Sequence, residues 1–238
     1  GSASNGRRPT PSRSMEYSVQ TKPAEVRGTN GTRNPREVRA PEALSLSGAL
    51  RAGIFHYGRI LGNGNAVNHW LGRALEPGPE ESVLDVGCGT GRFSQLVPGR
   101  YLGIDLDPDY IAFARRLYGS PARRFAVRQL ETLEGEETFD RAMVVNCIHH
   151  LSDQECDSAL ACLSRIVRRR LVVVDADPES SNAFQAWLLA HDRGDFIRPV
   201  RAQRELIERH FQIRAEHRFP NTPHTLIQVL FVCEPKAT

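Results

Sequence analysis

The sequence predicts an α/β fold: a doubly wound, mostly parallel sheet with an antiparallel hairpin at its C-terminal end and a helical cap before its first strand. Three observations carry that prediction. The run Val83-Leu84-Asp85-Val86 stops at glycines on alternate positions, 87, 89 and 91. Further short apolar runs follow it, separated by stretches with helical spacing, and the last two, 211–219 and 225–232, read as an antiparallel pair. A strand with no polar alternation is one buried on both faces, as in a parallel sheet covered by helices on either side.

The elements can be justified in order. From Ala43 the pattern is helical, with Leu44, Leu46, Leu50, Ile54 and Phe55 apolar and Tyr57 to Leu61 continuing it. Gly62-Asn63-Gly64-Asn65 reads as a turn, and 66–75 as a second helix carrying His69 and Trp70. The first strand at 83–86 then ends in the glycine turn, which should open a helix. Glycine lets the chain turn sharply there and lets a ligand approach the backbone without meeting a Cβ. The dinucleotide fingerprint needs its third glycine three positions after the second, and that place is Arg92.

The second strand, 101–105, ends in Asp105, eighteen residues after Gly87. A carboxylate at that distance sits at the carboxyl end of the neighbouring strand, where it can accept both hydroxyls of a ribose. Asp105 therefore argues for an adenosine-bearing ligand, while Asp107 or Asp109 caps the helix that runs to Leu117. Third, fourth and fifth strands follow at 124–128, 139–146 and 171–175. Between the last two, residues 157–169 form a helix with Leu160, Leu163, Ile166 and Val167 on one face. Arg168, Arg169 and Arg170 fall at its end, where cations suit the helix dipole. Asp175 and Asp177 are expected to cap the next helix, since Pro178 and Glu179 follow them like a first turn.

Composition bounds the rest. A chain of 238 residues whose motifs share one sheet is read as a single catalytic domain at 79–238, a cap at 41–78 and a tail at 1–40. The tail is polar and lacks apolar periodicity, so it is expected to be disordered. It holds eight cations against three glutamates, a surplus of five in a chain of net charge +3, so the remainder stands at −2. That balance makes the domain no nucleic-acid surface by charge, and the tail is read as a solvated extension. Its opening Gly-Ser looks like an expression scar. Five cysteines show no metal-ligand pairing, and with no signal peptide they suggest reduced thiols in a cytoplasmic protein. No apolar run approaches the ~18 residues a membrane span needs.

The Asp85-x-Gly87-x-Gly89-x-Gly91 run, with Asp105 at the next strand end, resembles the first motifs of class I S-adenosylmethionine-dependent methyltransferases. The resemblance covers roughly residues 65–235 and is strongest from 82 to 175. It implies a seven-stranded Rossmann-like sheet, S-adenosylmethionine as cofactor and S-adenosylhomocysteine as its product. By position in the motifs, Gly87, Gly89 and Gly91 would meet the amino-acid part of the donor, and Asp85 would orient that loop or reach the ammonium through water. Asp105, with Leu106 beside it, would hold the ribose. Gln129 stands where many relatives have an aspartate for the adenine amine, and its carbonyl can accept that bond, with the Leu130 amide next to it. Asn146 would lie beside the methionine portion. Tyr57, Arg59, Asn68 and Trp70 are candidates for the acceptor pocket or for packing the cap.

Chemistry is expected closest to Asn146-Cys147-Ile148-His149-His150-Leu151. Histidine titrates near neutrality and suits removal of a hydroxyl proton, so His149 is the candidate base and His150 a packing residue. No metal is expected, because the acidic triad of metal-requiring relatives is replaced by Asn146 and Cys147. The Pro-Pro signature of amino-methylating nucleic-acid enzymes is also missing after the fourth strand. The loop 191–199 would overhang the acceptor side. The expected activity is therefore methylation of a small molecule, at oxygen rather than nitrogen or carbon. A protein or tRNA methyltransferase, and a non-methylating S-adenosylmethionine-binding protein, are the alternatives.

Overall fold

The structure is a computed structural model. It describes residues 45–179, 195–221 and 226–236, with the backbone alone at 59–65. The chain divides into two units, Gly1–Asn34 and Pro35–Thr238, and every described residue belongs to the second. The expected tail and loop positions 191–194 lie outside the described residues.

Seven strands form one sheet: β1 (Ser82–Val86), β2 (Arg100–Asp105), β3 (Arg123–Val127), β4 (Phe139–Val145), β5 (Val167–Ala176), β6 (Phe211–Pro220) and β7 (Ile227–Pro235). Their order is β3-β2-β1-β4-β5-β7-β6, parallel except for β7, which runs antiparallel to both neighbours. Helices α1 (Leu46–Leu75) and α2 (Pro108–Tyr118) cover one face, and α3 (Asp153–Ile166) and α4 (Val200–His210) the other. The alternation along β5 shows why its apolar run is continuous. Leu171 and Val173 pack towards α3 and α4, Val172 and Val174 towards α1 and α2, and all four are buried. From β1 the chain winds outward through β2 and β3, then returns to place β4 on the other side. Such a reversal leaves a crevice at the carboxyl ends of the two central strands, where ligands of open α/β sheets bind.

Three expectations need correction. The turn at 62–65 does not form, and α1 runs through it for 30 residues. Each glycine inside a helix costs about 1 kcal/mol relative to alanine, but both ends of α1 are separately anchored. Val67, Leu71 and Leu75 are buried on the sheet, while His56, 2% exposed, packs against Phe113 and Tyr118 of α2. Secondly, the glycine turn opens only a 3-10 segment, Arg92–Leu96, rather than an α-helix. Pro98 follows at once and drives Val97 to an extended conformation.

Thirdly, α3 ends at Ile166, and Arg168, Arg169 and Arg170 belong to the start of β5. They neutralise a different helix end. Arg170 donates to the Ala74 carbonyl and to Glu76, and Arg141 of β4 donates to the Leu75 carbonyl, so two guanidiniums satisfy the last carbonyls of α1. Between these sits Glu81, which accepts from Arg141 at 2.6 Å and Arg169 at 2.5 Å. The remaining helix starts follow their sequence signals. Asp107 caps α2 through the amides of Asp109 and Tyr110, and Ser152 and Glu155 form a reciprocal capping box at α3.

Candidate active site

A cavity of about 1430 Å³ opens at the carboxyl ends of β1, β2, β3 and β4. Its floor is the loop after β1. Gly87 has φ +69°, and a Cβ there would lie 2.7 Å from the Cys147 sulfur, so this backbone can approach a ligand only because the residue is glycine. Burial pushes the Cys147 thiol up to about 12, which leaves it protonated and acting as packing beneath the loop. Gly89 also lines the cavity, whereas Gly91 does not. A Cβ on Gly91 would lie 2.4 Å from the Phe125 ring, so this glycine serves the packing of the loop on β3 rather than the cavity.

Asp105 is held in the wall by two amides. One oxygen accepts from Gly89 N at 2.8 Å and the other from Asp107 N at 2.9 Å. Burial pushes its pKa up, and those amides pull against that rise. Each oxygen keeps a lone pair for a further donor, as a vicinal diol requires. Leu106, Gln129, Leu130 and Asn146 line the same cavity. Asn146 sits at φ +50° and donates its amide to the Val174 carbonyl, a left-handed bend that few residues other than glycine and asparagine accept. That bend carries the chain out of β4 and across the cavity.

Asp85 departs from its expected place. It is 1% exposed, outside the cavity wall, and its Oδ2 accepts the Tyr101 hydroxyl at 2.7 Å. Burial raises its pKa to about 7 despite that bond. An acid whose folded-state value lies above its unfolded one favours folding at low pH, and that advantage is lost as pH rises towards 7. Asp85→Asn, which keeps an acceptor for Tyr101, is therefore expected to raise Tm at pH 8 and to lose that advantage near pH 4. A thermal melt at both pH values measures this, and a lower Tm at pH 8 would show that the buried carboxylate is itself stabilising.

His149 is 7% exposed and lines the cavity. Its Nδ1 lies 2.6 Å from Asp175 Oδ1, and its amide donates to Asp175 Oδ2 at 3.2 Å. Asp175 is 1% exposed, and among the described residues it accepts from His149 and the Ala176 amide, while the helix it was expected to cap lies outside the described residues. Asp177 does accept from the Glu179 amide, as a capping aspartate would. A hydrogen bond donated from Nδ1 to Asp175 leaves Nε2 as the nitrogen with a free lone pair. His150 is exposed at the cavity rather than packed, because the buried place beside Asp175 is taken by His149. Arg198 is 7% exposed and braces this turn from behind, donating to the carbonyls of Ile148 and Leu151 and to Asp153.

Of the cap candidates, none with a described side chain reaches the cavity. Tyr57 is 61% exposed, Asn68 accepts from Arg92, and Trp70 stacks on His217 and Phe219 of β6. The side chain of Arg59 lies outside the described residues. Sequence reasoning missed the residues of α1 that do form the wall: Ser47, Leu50, Arg51, Ile54 and Phe55. Arg51 bridges Asp107 and Asp109 at 2.6 and 2.7 Å, and Phe55 stacks on Tyr110 with centroids 4.7 Å apart. A second link joins α1 to the glycine loop, where His56 Nδ1 lies 2.9 Å from the Thr90 hydroxyl. No signal within α1 alone could have separated these positions from its packing face.

Residues 83–170 match the family model of a methyltransferase domain. Over that stretch the chain resembles class I S-adenosylmethionine-dependent methyltransferases. Among curated proteins the chain is similar to O-methyltransferase cnsE of Penicillium expansum, 30% identical over 123 residues, which are 47% of this chain and 44% of that one. The chain spans less than half the length of the curated relatives it matches. Among solved structures, the PH0226 protein from Pyrococcus horikoshii OT3 aligns with TM-score 0.61 at 20% identity, over 76% of this chain and 91% of that one. Magnesium protoporphyrin IX methyltransferase from Synechocystis PCC 6803, with bound S-adenosylhomocysteine, aligns with TM-score 0.56 at 16% identity, over 77% and 94%. These structural matches show that the methyltransferase fold is shared. Among the described residues no helix is long and apolar enough to cross a membrane.

Proposed function

We propose that this chain transfers the methyl group of S-adenosylmethionine to a hydroxyl of a small molecule, with His149 as the proton acceptor. The observation that carries the reading is the His149–Asp175 pair in the cavity wall, three residues beyond the bend at Asn146. The donor, when bound, supplies a sulfonium methyl, so a C–O bond forms as the S–C bond breaks and S-adenosylhomocysteine leaves. The chain must hold the two partners in line, exclude water and take the proton. Asp105 would accept from the ribose hydroxyls, held rigid by the Gly89 and Asp107 amides. Gln129 and Leu130 would meet the adenine, and Asn146 the amino-acid end. His149 Nε2 would receive the hydroxyl proton, while Asp175 keeps Nδ1 protonated and stabilises the imidazolium that results. The match to an O-methyltransferase supports oxygen as the acceptor atom.

Calorimetry with S-adenosylhomocysteine tests the donor half. Asp105→Ala is expected to weaken binding by about 1.5–3 kcal/mol, the range for hydrogen bonds to a charged group. Full affinity in a folded variant would remove Asp105 from the site. Release of S-adenosylhomocysteine across a panel of phenols, alcohols and amines tests the acceptor half, and turnover confined to amines would replace oxygen with nitrogen.

A further inference from the structure

The N-terminal half of α1 carries an apolar stripe that packing does not explain. At 100° per residue, Leu46, Leu50, Ile54 and Tyr57 fall within about 80° of one another. They are 91%, 66%, 66% and 61% exposed. A single exposed leucine is ordinary, but a contiguous stripe marks a contact surface. Leu50 and Ile54 also line the cavity, so the stripe is the outward continuation of its wall.

Charge narrows what this mouth can take. The wall contains three arginines, and each has a protein partner. Arg51 holds Asp107 and Asp109, Arg128 holds Glu136 and the Thr132 carbonyl, and Arg92 donates to Asn68 while lying over the Phe93 ring. A carboxylate or phosphate on the acceptor would have to draw a guanidinium away from one of them. Size is permissive, since about 1430 Å³ exceeds the ~300–1,000 Å³ of a typical ligand pocket and leaves room beyond the donor.

We propose that the acceptor is a hydroxyl compound with a hydrocarbon tail and no carboxylate or phosphate, and that Leu50 and Ile54 hold this tail at the cavity mouth. The proposal rests on the methyl-transfer reading above and adds the class of acceptor to it.

The test uses the full chain and n-alkanols from butanol to octanol as probes, with binding measured by calorimetry at saturating S-adenosylhomocysteine. Burial of one CH₂ is worth about 0.8 kcal/mol, so each added carbon should tighten binding roughly fourfold. Octanoate should bind at least tenfold more weakly than octanol. In the double variant Leu50→Gln, Ile54→Gln the gain per carbon should fall below about twofold. Both positions are exposed and glutamine suits a helix, so the fold is not at stake. Affinity independent of chain length, or an unchanged gain in the double variant, would overturn the proposal. So would octanoate binding tightest. A chain-length gain that appears only after deletion of residues 1–40 would assign the stripe to the chain's own N-terminal segment, and a dimer dissociated by the double variant would assign it to a second copy. Either result overturns the proposal. Binding of S-adenosylhomocysteine is measured first and alone, so failure of the donor reading is seen separately from failure of the tail site.

Discussion

His149→Ala is expected to lower kcat by about 10²–10⁴-fold, the usual contribution of a positioned general base, while S-adenosylhomocysteine affinity stays near wild type. The expectation depends on Asp175 as much as on the imidazole. The carboxylate takes both the ring Nδ1 and the backbone amide of His149, so it fixes the tautomer and the place of the ring together. Asp175→Asn leaves one carboxamide oxygen for the three donors that the carboxylate accepts, the His149 ring and amide and the Ala176 amide, so the ring loses its fixed tautomer or its place. A comparable loss of kcat is therefore expected in that variant, again with donor affinity preserved. Preserved donor affinity matters because a general collapse of the site would reduce it. Near wild-type turnover of His149→Ala at neutral pH would reduce the enzyme to an aligner of its two substrates, and the proton would have to leave by another route.

Which parts of this site were legible in the sequence follows from how far apart their determinants lie. Asp105 and the glycines at 87 and 89 are fixed by strand and turn within one local unit, and the structure lines the cavity with them. Asp85 belongs to the same motif, but strand alternation turns it to the face that holds Tyr101, whose hydroxyl it accepts. The partnership of His149 with Asp175 joins two strand ends that are 26 residues apart and needs the β4–β5 register to be known. Asp175 was read as a helix cap because capping is the local use of an aspartate after a strand. The α1 wall was illegible for a different reason. Its apolar positions serve two surfaces, one packed and one open, and periodicity alone does not distinguish them. Trp70 shows the same ambiguity with the opposite outcome, since it packs on β6.

The arginine run taught the same lesson at the other end of the sheet, and Glu81 is where its consequence is largest. Glu81→Ala is expected to destabilise the protein by about 1–3 kcal/mol, between the worth of an exposed ion pair and the loss on breaking a fully buried one. Glu81 and Arg141 are 13% and 12% exposed, and Glu81 also accepts the Gly78 amide at 2.7 Å. Arg169 is 61% exposed and adds little, because water screens it. Without Glu81 the Arg141 guanidinium keeps the Leu75 carbonyl but has lost its counter-charge in a poorly hydrated place. The pH dependence has a definite sign. The hydrogen bond from Arg141, ahead of any other influence, holds Glu81 below the ordinary carboxylate range. Its contribution is therefore complete above the unfolded glutamate value of about 4.3 and is lost as pH falls through the folded one. Thermal melts from pH 3 to 8 should show a wild-type acid limb that is shallower in Glu81→Gln, with the two curves running parallel above about pH 5.5. If Glu81→Ala and wild type melt together at pH 7, the cluster is an ornament of the surface, and the last carbonyls of α1 must draw their support from Arg170 and Arg141 without it.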